Sequence, residues 1–402
     1  MDEQVLTAGK QVLTTLEGAG YTAYFVGGYV RDTILGRTVH DLDVATSAHP
    51  EDVIRLFART VPTGMQHGTV TVLIHGVPIE VTTYRTESSY ADHRRPDRVA
   101  FVDRIEEDLA RRDFTVNAMA LGLRGEVIDP FGGQEDLKRG LIRAVGRPQE
   151  RFAEDALRML RCIRFASQLR FDIDEQTFNA VRAQADTLGH VAVERISAEW
   201  NKALAAPGAV DAVQAVRTTG LFAHMPGVAG LLADQPDEWN LQAITRLSGL
   251  AERWAYLFLL GEKTDRVSSV LRALRCEKKL IQACGSTVRI VQALRVRPDT
   301  REINRLLVEN GLAAVERAAM VQDVLAGQSG TAEALRRRHE QLPVQALTEL
   351  AVSGADLQQE LARRGGPWIR ETLMALAEEV NAGQRPNERA VLLIRAKEIA
   401  DR

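Results

Sequence analysis

Cysteine is scarce in this chain: Cys162, Cys276 and Cys284 are the only three. An odd number without paired ligand spacing argues against a disulfide frame or a zinc site, and it fits a reducing cytoplasm. Long apolar runs are missing too, so no stretch is suited to span a bilayer. The first residues, Met1-Asp2-Glu3-Gln4-Val5-Leu6, are acidic and amphipathic, unlike a secretory leader. Neither sign of charge predominates: 51 Lys and Arg stand against 54 Asp and Glu, a formal net charge of -3. The chain as a whole therefore does not attract a polyanion, and any site for one has to be a local patch. No repeat of fixed period is evident, which argues against a regular solenoid.

A length of 402 residues is too much for one ordinary core and implies two to four domains. Up to about residue 140 short strands mix with helices. Residues 5–16 have the period of an amphipathic helix. Residues 68–74 and 77–84 read as two strands joined by a turn at His75-Gly76, and residues 125–129 as another strand. From about residue 148 the period becomes helical, rich in Ala, Leu, Arg and Glu. Pro207-Gly208, residues 226–236 and Gly327-Gln328-Ser329-Gly330 are candidate breaks. The expected fold is α+β in its first third, followed by a long all-helical arm.

The densest chemical signal lies near the start. Phe25-Val26 reads as the end of a buried strand, followed by Gly27-Gly28-Tyr29-Val30-Arg31-Asp32. Two glycines let the backbone approach a ligand closely, and N–H groups opening the next helix can face a phosphate. Arg31, about one turn in, can reach the same anion, and Gly36 closes the helix. Asp41-Leu42-Asp43 then leads into a strand, where alternation puts Asp41 and Asp43 on one face. Two adjacent carboxylates repel unless a cation lies between them. A phosphate cradle beside a dicarboxylate is what metal-assisted phosphoryl or nucleotidyl transfer needs. Glu80, in the strand Pro78-Ile79-Glu80-Val81-Thr82-Thr83-Tyr84, is a candidate third carboxylate, for metal binding or to accept the proton of an attacking hydroxyl.

Three further segments carry charge in a pattern. Arg111-Arg112-Asp113-Phe114-Thr115-Val116-Asn117-Ala118 reads as a helix start capped by Asp113, with two arginines beside it. Ile128-Asp129-Pro130-Phe131-Gly132-Gly133 is turn chemistry after a strand, a brace for the surrounding fold. The run from Arg151 through Glu154, Asp155, Arg158 and Arg161 to Arg164 reads as one strong helix, with Glu154 and Arg158 placed to pair. Such spacing is usually a salt-laced surface. It has a second reading, because cytosine and adenine each present an amine beside a ring-nitrogen acceptor, whereas uracil and guanine present a carbonyl beside an N–H. A carboxylate next to a guanidinium matches the first two bases and mismatches the others. A fixed Asp155–Arg158 pair could thus select CTP and ATP without a template, while Arg161 and Arg164 stiffen it or meet the triphosphate.

The ordered set Gly27-Gly28-x-x-Arg31-Asp32, Asp41-x-Asp43, Glu80-Val81-Thr82-Thr83, Arg111-Arg112-Asp113-Phe114-Thr115-x-Asn117-Ala118 and Glu154-Asp155-x-x-Arg158 resembles the bacterial CCA-adding tRNA nucleotidyltransferases. These share a class with bacterial poly(A) polymerases within the DNA polymerase beta superfamily. Leu350-Ala351-Val352-Ser353-Gly354-x-Asp356 and Gly366-Pro367-Trp368 are similar to the tail of the Gram-positive type. The resemblance implies a polymerase-beta-like nucleotidyltransferase head over residues 1–140, a base-reading neck over 141–205, a helical body over 206–325 and a tRNA-binding tail over 326–402. It implies Mg²⁺ on Asp41 and Asp43, and nucleotide contacts from Gly28, Arg31, Arg112, Asp155, Arg158, Arg161 and Arg164. The partners it implies are CTP, ATP and the acceptor end of tRNA. It leaves a homodimer open and involves no membrane.

Arg336-Arg337-Arg338 and Arg363-Arg364 are the clearest basic spots on the arm. Residues 85–97, with Asp92, Arg94 and Arg95, read as a polar loop. In the resembled family a flexible loop here lets the site switch from cytidine to adenosine. Its length favours complete CCA addition over rivals that add only CC or only A, or that make poly(A). A catalytically dead RNA-binding protein is the rival of another class, and the intact Asp41/Asp43 pair speaks against it. The one His-Asp dipeptide is His40-Asp41. No phosphohydrolase domain of the kind some relatives carry is therefore expected.

Overall fold

Helix α1 (Glu3–Gly18) buries Ala8, Gly9, Val12, Leu13 and Leu16 on one face, as its period requires. It packs on a mixed seven-stranded sheet. Complete burial of Val12, Leu13 and Leu16 contributes about 1.5–3 kcal/mol each. The computed structural model describes residues 3–39, 41–90, 96–231 and 240–400. Strand β1 (Ala23–Val26) is followed by the short helix α2 (Gly28–Ile34), which ends before Gly36 at a φ of 64°. Strand β2 (Asp43–Thr46) returns antiparallel to β1. After helix α3 (Pro50–Leu56), strands β3 (Thr60–Gly64), β4 (Thr69–Ile74) and β5 (Val77–Thr83) form a meander, and β5 pairs with β2 in parallel.

Residues 85–90 and 96–97 are strand rather than the expected loop. Strands β6 (Arg85–Tyr90) and β7 (Pro96–Phe101) pair antiparallel as a separate ribbon, with Asp92, Arg94 and Arg95 outside the described residues. Its sequence carries no apolar alternation, so no strand period announces it. Helix α4 (Ile105–Ala110) precedes the closing strands β8 (Ala120–Leu121) and β9 (Val127–Ile128), which complete the sheet order β3-β4-β5-β2-β1-β8-β9.

The brace expected at residues 128–133 is present. Asp129 accepts the N–H groups of Gly133 and Gln134 at 2.7 and 2.9 Å, opening helix α5 (Gly133–Arg139). A Cβ on Gly133 would lie 2.3 Å from the Thr115 carbonyl oxygen, so only glycine allows this contact. Helix α5 returns Asp136 to Thr115 Oγ1 at 2.5 Å and to Arg143 at 2.9 Å. Strand β10 (Leu141–Ile142) follows, then helices α6 (Pro148–Glu154) and α7 (Leu157–Leu169). Strand β11 (Asp172–Ile173) pairs with β10 in parallel and ties α7 to the head. Helices α9 (Val193–Ala205) and α10 (Ala209–Thr219) pack on α7, while α8 (Glu175–Ala183) packs on α6 and α10.

The chain divides into two units, residues 1–229 and 230–402, at a point inside the expected break over 226–236. In the second, helix α11 (Leu250–Leu260) carries the buried Trp254, Tyr256 and Phe258; after α12 (Val267–Ala273), helices α13 (Lys278–Arg295) and, beyond α14 (Thr300–Asn310), α15 (Leu312–Ala326) pack against it. Helix α16 (Thr331–Glu340) lies on α15, while α17 (Gly354–Glu360) and α19 (Arg389–Ala400) flank α18 (Trp368–Asn381). The Ser353-Gly354-x-Asp356 segment is a capping box on α17, and Arg389 binds Asp356 at 2.5 Å. Among the described residues no helix is long and apolar enough to cross a membrane.

Candidate active site

The end of β1, the start of α2, the edge of β2, the 108–117 segment and the α6–α7 junction converge on one cleft of about 570 Å³. Gly27 makes the turn from β1 into α2 at a φ of 69°, and a Cβ there would lie 3.1 Å from Arg112 Nη1. The positive φ favours glycine at this position, and a Cβ would need the Arg112 guanidinium to give way slightly. Leu42 and Val44 are buried while Asp41 and Asp43 are exposed, so the two carboxylates share the outward face and both line the cleft. Glu80 is the register partner of Asp43 across the β2–β5 ladder. It is exposed and does not line the cleft itself.

Six arginines line the same cleft: Arg31, Arg111, Arg112, Arg158, Arg161 and Arg195, against Asp41, Asp43, Asp113 and Asp155. A chain with a net negative charge thus gathers arginines at one cleft, each held by a carboxylate. Arg31 is held by Asp32 at 2.8 Å and by Asn117 Oδ1 at 2.7 Å, with its guanidinium 5.2 Å above Phe165. Asp108 binds Arg111 at 2.8 Å and Arg112 at 3.2 Å. Burial alone would raise the Asp108 pKa, but the two arginines hold it below the usual carboxylate range. Arg112 Nε is buried without a hydrogen-bond partner and belongs to a side chain on the cleft wall.

Asp113 is not the helix cap that its sequence context suggests; Thr115–Asn117 forms a single 3₁₀ turn. The backbone on either side is fixed instead by residues 143–145, through Thr115 N to Arg143 O and Val145 N to Asp113 O. The buried Asp113 carboxylate accepts from Phe114 N at 2.9 Å, Asn117 Nδ2 at 3.2 Å and Arg161 Nε at 2.7 Å. Burial opposes its ionisation, yet Arg161 and Asn117 bring its pKa down to about 2. Arg161 is raised in turn by Asp113. Asp43 behaves in the opposite way: although its side chain reaches solvent, partial desolvation at the cleft wall, then repulsion from Glu80 and Asp41, outweigh Arg112 and raise its pKa.

The run from Arg151 to Arg164 is two helices rather than one, broken at Asp155, whose backbone is extended at φ −142°, ψ 103°. Asp155 Oδ1 accepts from Leu157 N at 3.0 Å, and Oδ2 from Arg195 Nη2 at 2.7 Å. Arg158 is buried and gives its hydrogen bonds to Glu154 at 2.6 Å, Arg151 O and Arg111 O. Asp155 and Arg158 therefore face one cleft with separate anchors, which leaves lone pairs on the one and N–H groups on the other for a ligand. Arg164 is not brought to the cleft. It is buried against Glu199 and Gln168, 3.9 Å over the Phe165 ring. Asn117, Phe165 and Arg195 were not singled out by sequence as cleft residues. For Arg195 no local signal exists, since its partner lies forty residues away.

A second cleft of about 570 Å³ shares Gly28, Arg31 and Asp41 with the first and runs on to Arg37 and Lys202. In the second unit the Arg336-Arg337-Arg338 run is largely neutralised. Arg336 binds Glu316 at 2.6 Å, Arg337 binds Glu333 at 3.1 Å, and Arg338 donates to Asn304. Arg363 and Arg364 are exposed, with Arg363 5.1 Å from the Trp368 ring.

The chain is similar to known proteins along most of its length. Residues 23–143 match the family described as the poly A polymerase head domain, residues 170–232 the "Probable RNA and SrmB-binding site of polymerase A", and residues 246–396 domain 2 of tRNA nucleotidyltransferases. The chain is similar to the CCA-adding enzyme of Geobacillus kaustophilus, at 43% identity over 94% of this chain and 93% of that one. It is similar to the CCA-adding enzyme of Lactiplantibacillus plantarum at 41% identity over 98% and 96%. Its fold matches the crystal structure of the Bacillus stearothermophilus CCA-adding enzyme in complex with CTP, with a TM-score of 0.86 and 37% identity over the whole of both chains.

Proposed function

The chain belongs to the CCA-adding enzymes of the tRNA nucleotidyltransferase and poly(A) polymerase family, and on that premise we propose how its cleft adds C, C and A to tRNA 3′ ends from CTP and ATP. The observation that carries the assignment of roles is the separate anchoring of Asp155 and Arg158 beside the Asp41/Asp43 pair. Asp155 accepts the exocyclic amine of cytosine or adenine, and Arg158 donates to the neighbouring ring nitrogen. Uracil and guanine place a carbonyl against the carboxylate and are refused. Gly28, Arg31, Arg112 and Arg161 line the path of the triphosphate, and Arg112 Nε is a donor free for it. Arg164 supports this set from behind through Phe165 rather than by contact.

The 3′ hydroxyl of tRNA attacks the α-phosphate, the new phosphodiester forms, and pyrophosphate leaves. Asp41 and Asp43 fit a magnesium ion: they are hard oxygen donors on one face, and Asp43 is held in a repulsive carboxylate environment that a cation would relieve. Among the described residues no three His, Cys, Asp or Glu side chains form a metal cage. Magnesium does not need one, because it is commonly held by one or two carboxylates together with substrate phosphates. When bound there, it lowers the pKa of the attacking hydroxyl and offsets charge at the phosphate. Glu80, beside Asp43 in the sheet, is the residue we assign to the hydroxyl proton.

In functional terms we divide the chain into head (1–140), neck (141–205), body (206–325) and tail (326–402). RNA contact in the tail is assigned to Arg363 and Arg364. The three free cysteines suit a reducing cytoplasm. The test uses tRNA lacking its terminal CCA, Mg²⁺ and each nucleotide alone or combined. CTP alone should give products two residues longer, CTP with ATP three, and UTP or GTP none. Arrest after CC with both nucleotides present, or open-ended tailing with ATP, would overturn the proposal.

A further inference from the structure

Arg195 lies at the start of α9, outside every motif of the sequence, yet it reaches the cleft and binds the carboxylate to which base reading is assigned. The contact is a 2.7 Å charge-assisted bond from Nη2 to Asp155 Oδ2, between side chains 30% and 16% exposed. The other oxygen of Asp155 takes the Leu157 N–H. Two donors from two directions thus fix the plane of this carboxylate at a point where the backbone is extended and no helix holds it. Leu157 N–H alone fixes one oxygen and leaves the other free to swing about the bond to Cβ.

A second observation separates this from an ordinary structural ion pair. Arg195 Nη1 is shielded from solvent and has no hydrogen-bond partner. A buried N–H left unpaired is costly, and an arginine that served only to hold α9 in place would have its donors met within the fold. Arg164 shows that alternative one turn behind the cleft, spending its donors on Glu199 and Gln168. We propose that Arg195 is a positioning residue for nucleotide selection, holding the Asp155 carboxylate in the plane of the incoming base, so that rejection of UTP and GTP depends on it. The inference rests on the assignment of base reading to Asp155.

The test is made on the full-length protein with Mg²⁺ and tRNA lacking CCA, measuring kcat/KM for CTP and UTP. Asp155→Ala, Arg195→Met, Arg195→Lys and the double variant Asp155→Ala/Arg195→Met are compared, with tRNA affinity and thermal melting as checks on folding. Arg195→Met should raise the UTP-to-CTP ratio tenfold or more while tRNA affinity stays within twofold. Arg195→Lys, which keeps the charge but not the fork, should fall between it and the parent, and it serves if the methionine variant is poorly folded. The double variant should select no worse than Asp155→Ala alone, because the arginine acts through the carboxylate. Unchanged discrimination in Arg195→Met, or multiplication of the two effects in the double variant, would overturn the proposal while leaving base reading by Asp155 intact. If Asp155→Ala still refuses UTP, the assignment of base reading falls and the role of Arg195 falls with it.

Discussion

Asp113→Asn isolates the buried ion pair behind the cleft. The carboxylate is almost fully enclosed, and its pKa falls from 3.8 to about 2 in the folded chain. That displacement corresponds to about 2.5 kcal/mol of stability at neutral pH. Breaking a buried pair by removing one charge typically costs 3–5 kcal/mol. Asparagine keeps an oxygen for the Phe114 N–H, and Glu199 remains 3.9 Å from Arg161, so a loss of about 2–3 kcal/mol is expected. The sign with pH is fixed by linkage. The folded state binds this proton less readily than the unfolded chain, so the contribution is complete above about pH 4 and is lost as pH falls through 2. At pH 3 it should be about half its neutral value. Urea unfolding of parent and variant at pH 7, 5, 4 and 3 measures the difference directly. A cost below about 1 kcal/mol at pH 7, or a difference that does not shrink by pH 3, would refute the reasoning.

Asp43→Asn should reduce nucleotide addition at least a thousandfold while leaving the metal-free protein as stable or more stable, by about 0.5 kcal/mol at pH 7, since like charges across a strand pair repel. Because the folded-state pKa of Asp43 is raised, this gain should vanish below the ordinary carboxylate range, and Mg²⁺ should raise the melting temperature of the parent but not of the variant; equal stabilisation of both by Mg²⁺ would remove Asp43 from metal binding. Arg363→Ala/Arg364→Ala should weaken tRNA binding and lower the salt slope by about one or two, whereas Arg336→Ala/Arg337→Ala, already paired with carboxylates, should change it less; the comparison is read by filter binding across salt concentrations, and equal slopes for all variants would place RNA elsewhere. Deleting residues 88–94 from the β6–β7 ribbon should preserve addition of two cytidines and stop the product there; normal CCA completion would make the ribbon a connector.

Much of the head was legible because its signals are local. Alternation gave β4 and β5 almost to the residue, and the period of α1 gave its buried face. The shared face of Asp41 and Asp43 followed from strand geometry alone. What could not be read was whatever depends on partners distant in sequence. The run from Arg151 to Arg164 has a helical period throughout. It breaks at Asp155 because Leu157 N–H and Arg195 satisfy the carboxylate better in an extended backbone than a helix would. Asp113 looks like a cap, but residues 143–145 hold its backbone as a bridge and turn its side chain to Arg161. Arg164 shares the spacing of Arg158 and Arg161, yet a step of three per residue pair rotates it away from the cleft, toward Glu199.

These tertiary partners bear on how a site can choose bases without a template. If Asp155 and Arg158 were paired to each other, each would occupy the hydrogen-bonding capacity of the other, and an incoming base would have to break that pair. The structure avoids this by giving each its own anchor, Arg195 for the carboxylate and Glu154 with two backbone carbonyls for the guanidinium. Both groups are then held in place before the nucleotide arrives, and the ordering cost is met in folding rather than in binding. The same logic runs behind the cleft, where Asp113 and Glu199 brace Arg161 and Arg164 about the Phe165 ring. Selection by such a surface depends on its stiffness. Loosening an anchor should therefore cost discrimination before it costs affinity for the triphosphate, whose binding we assign to different arginines.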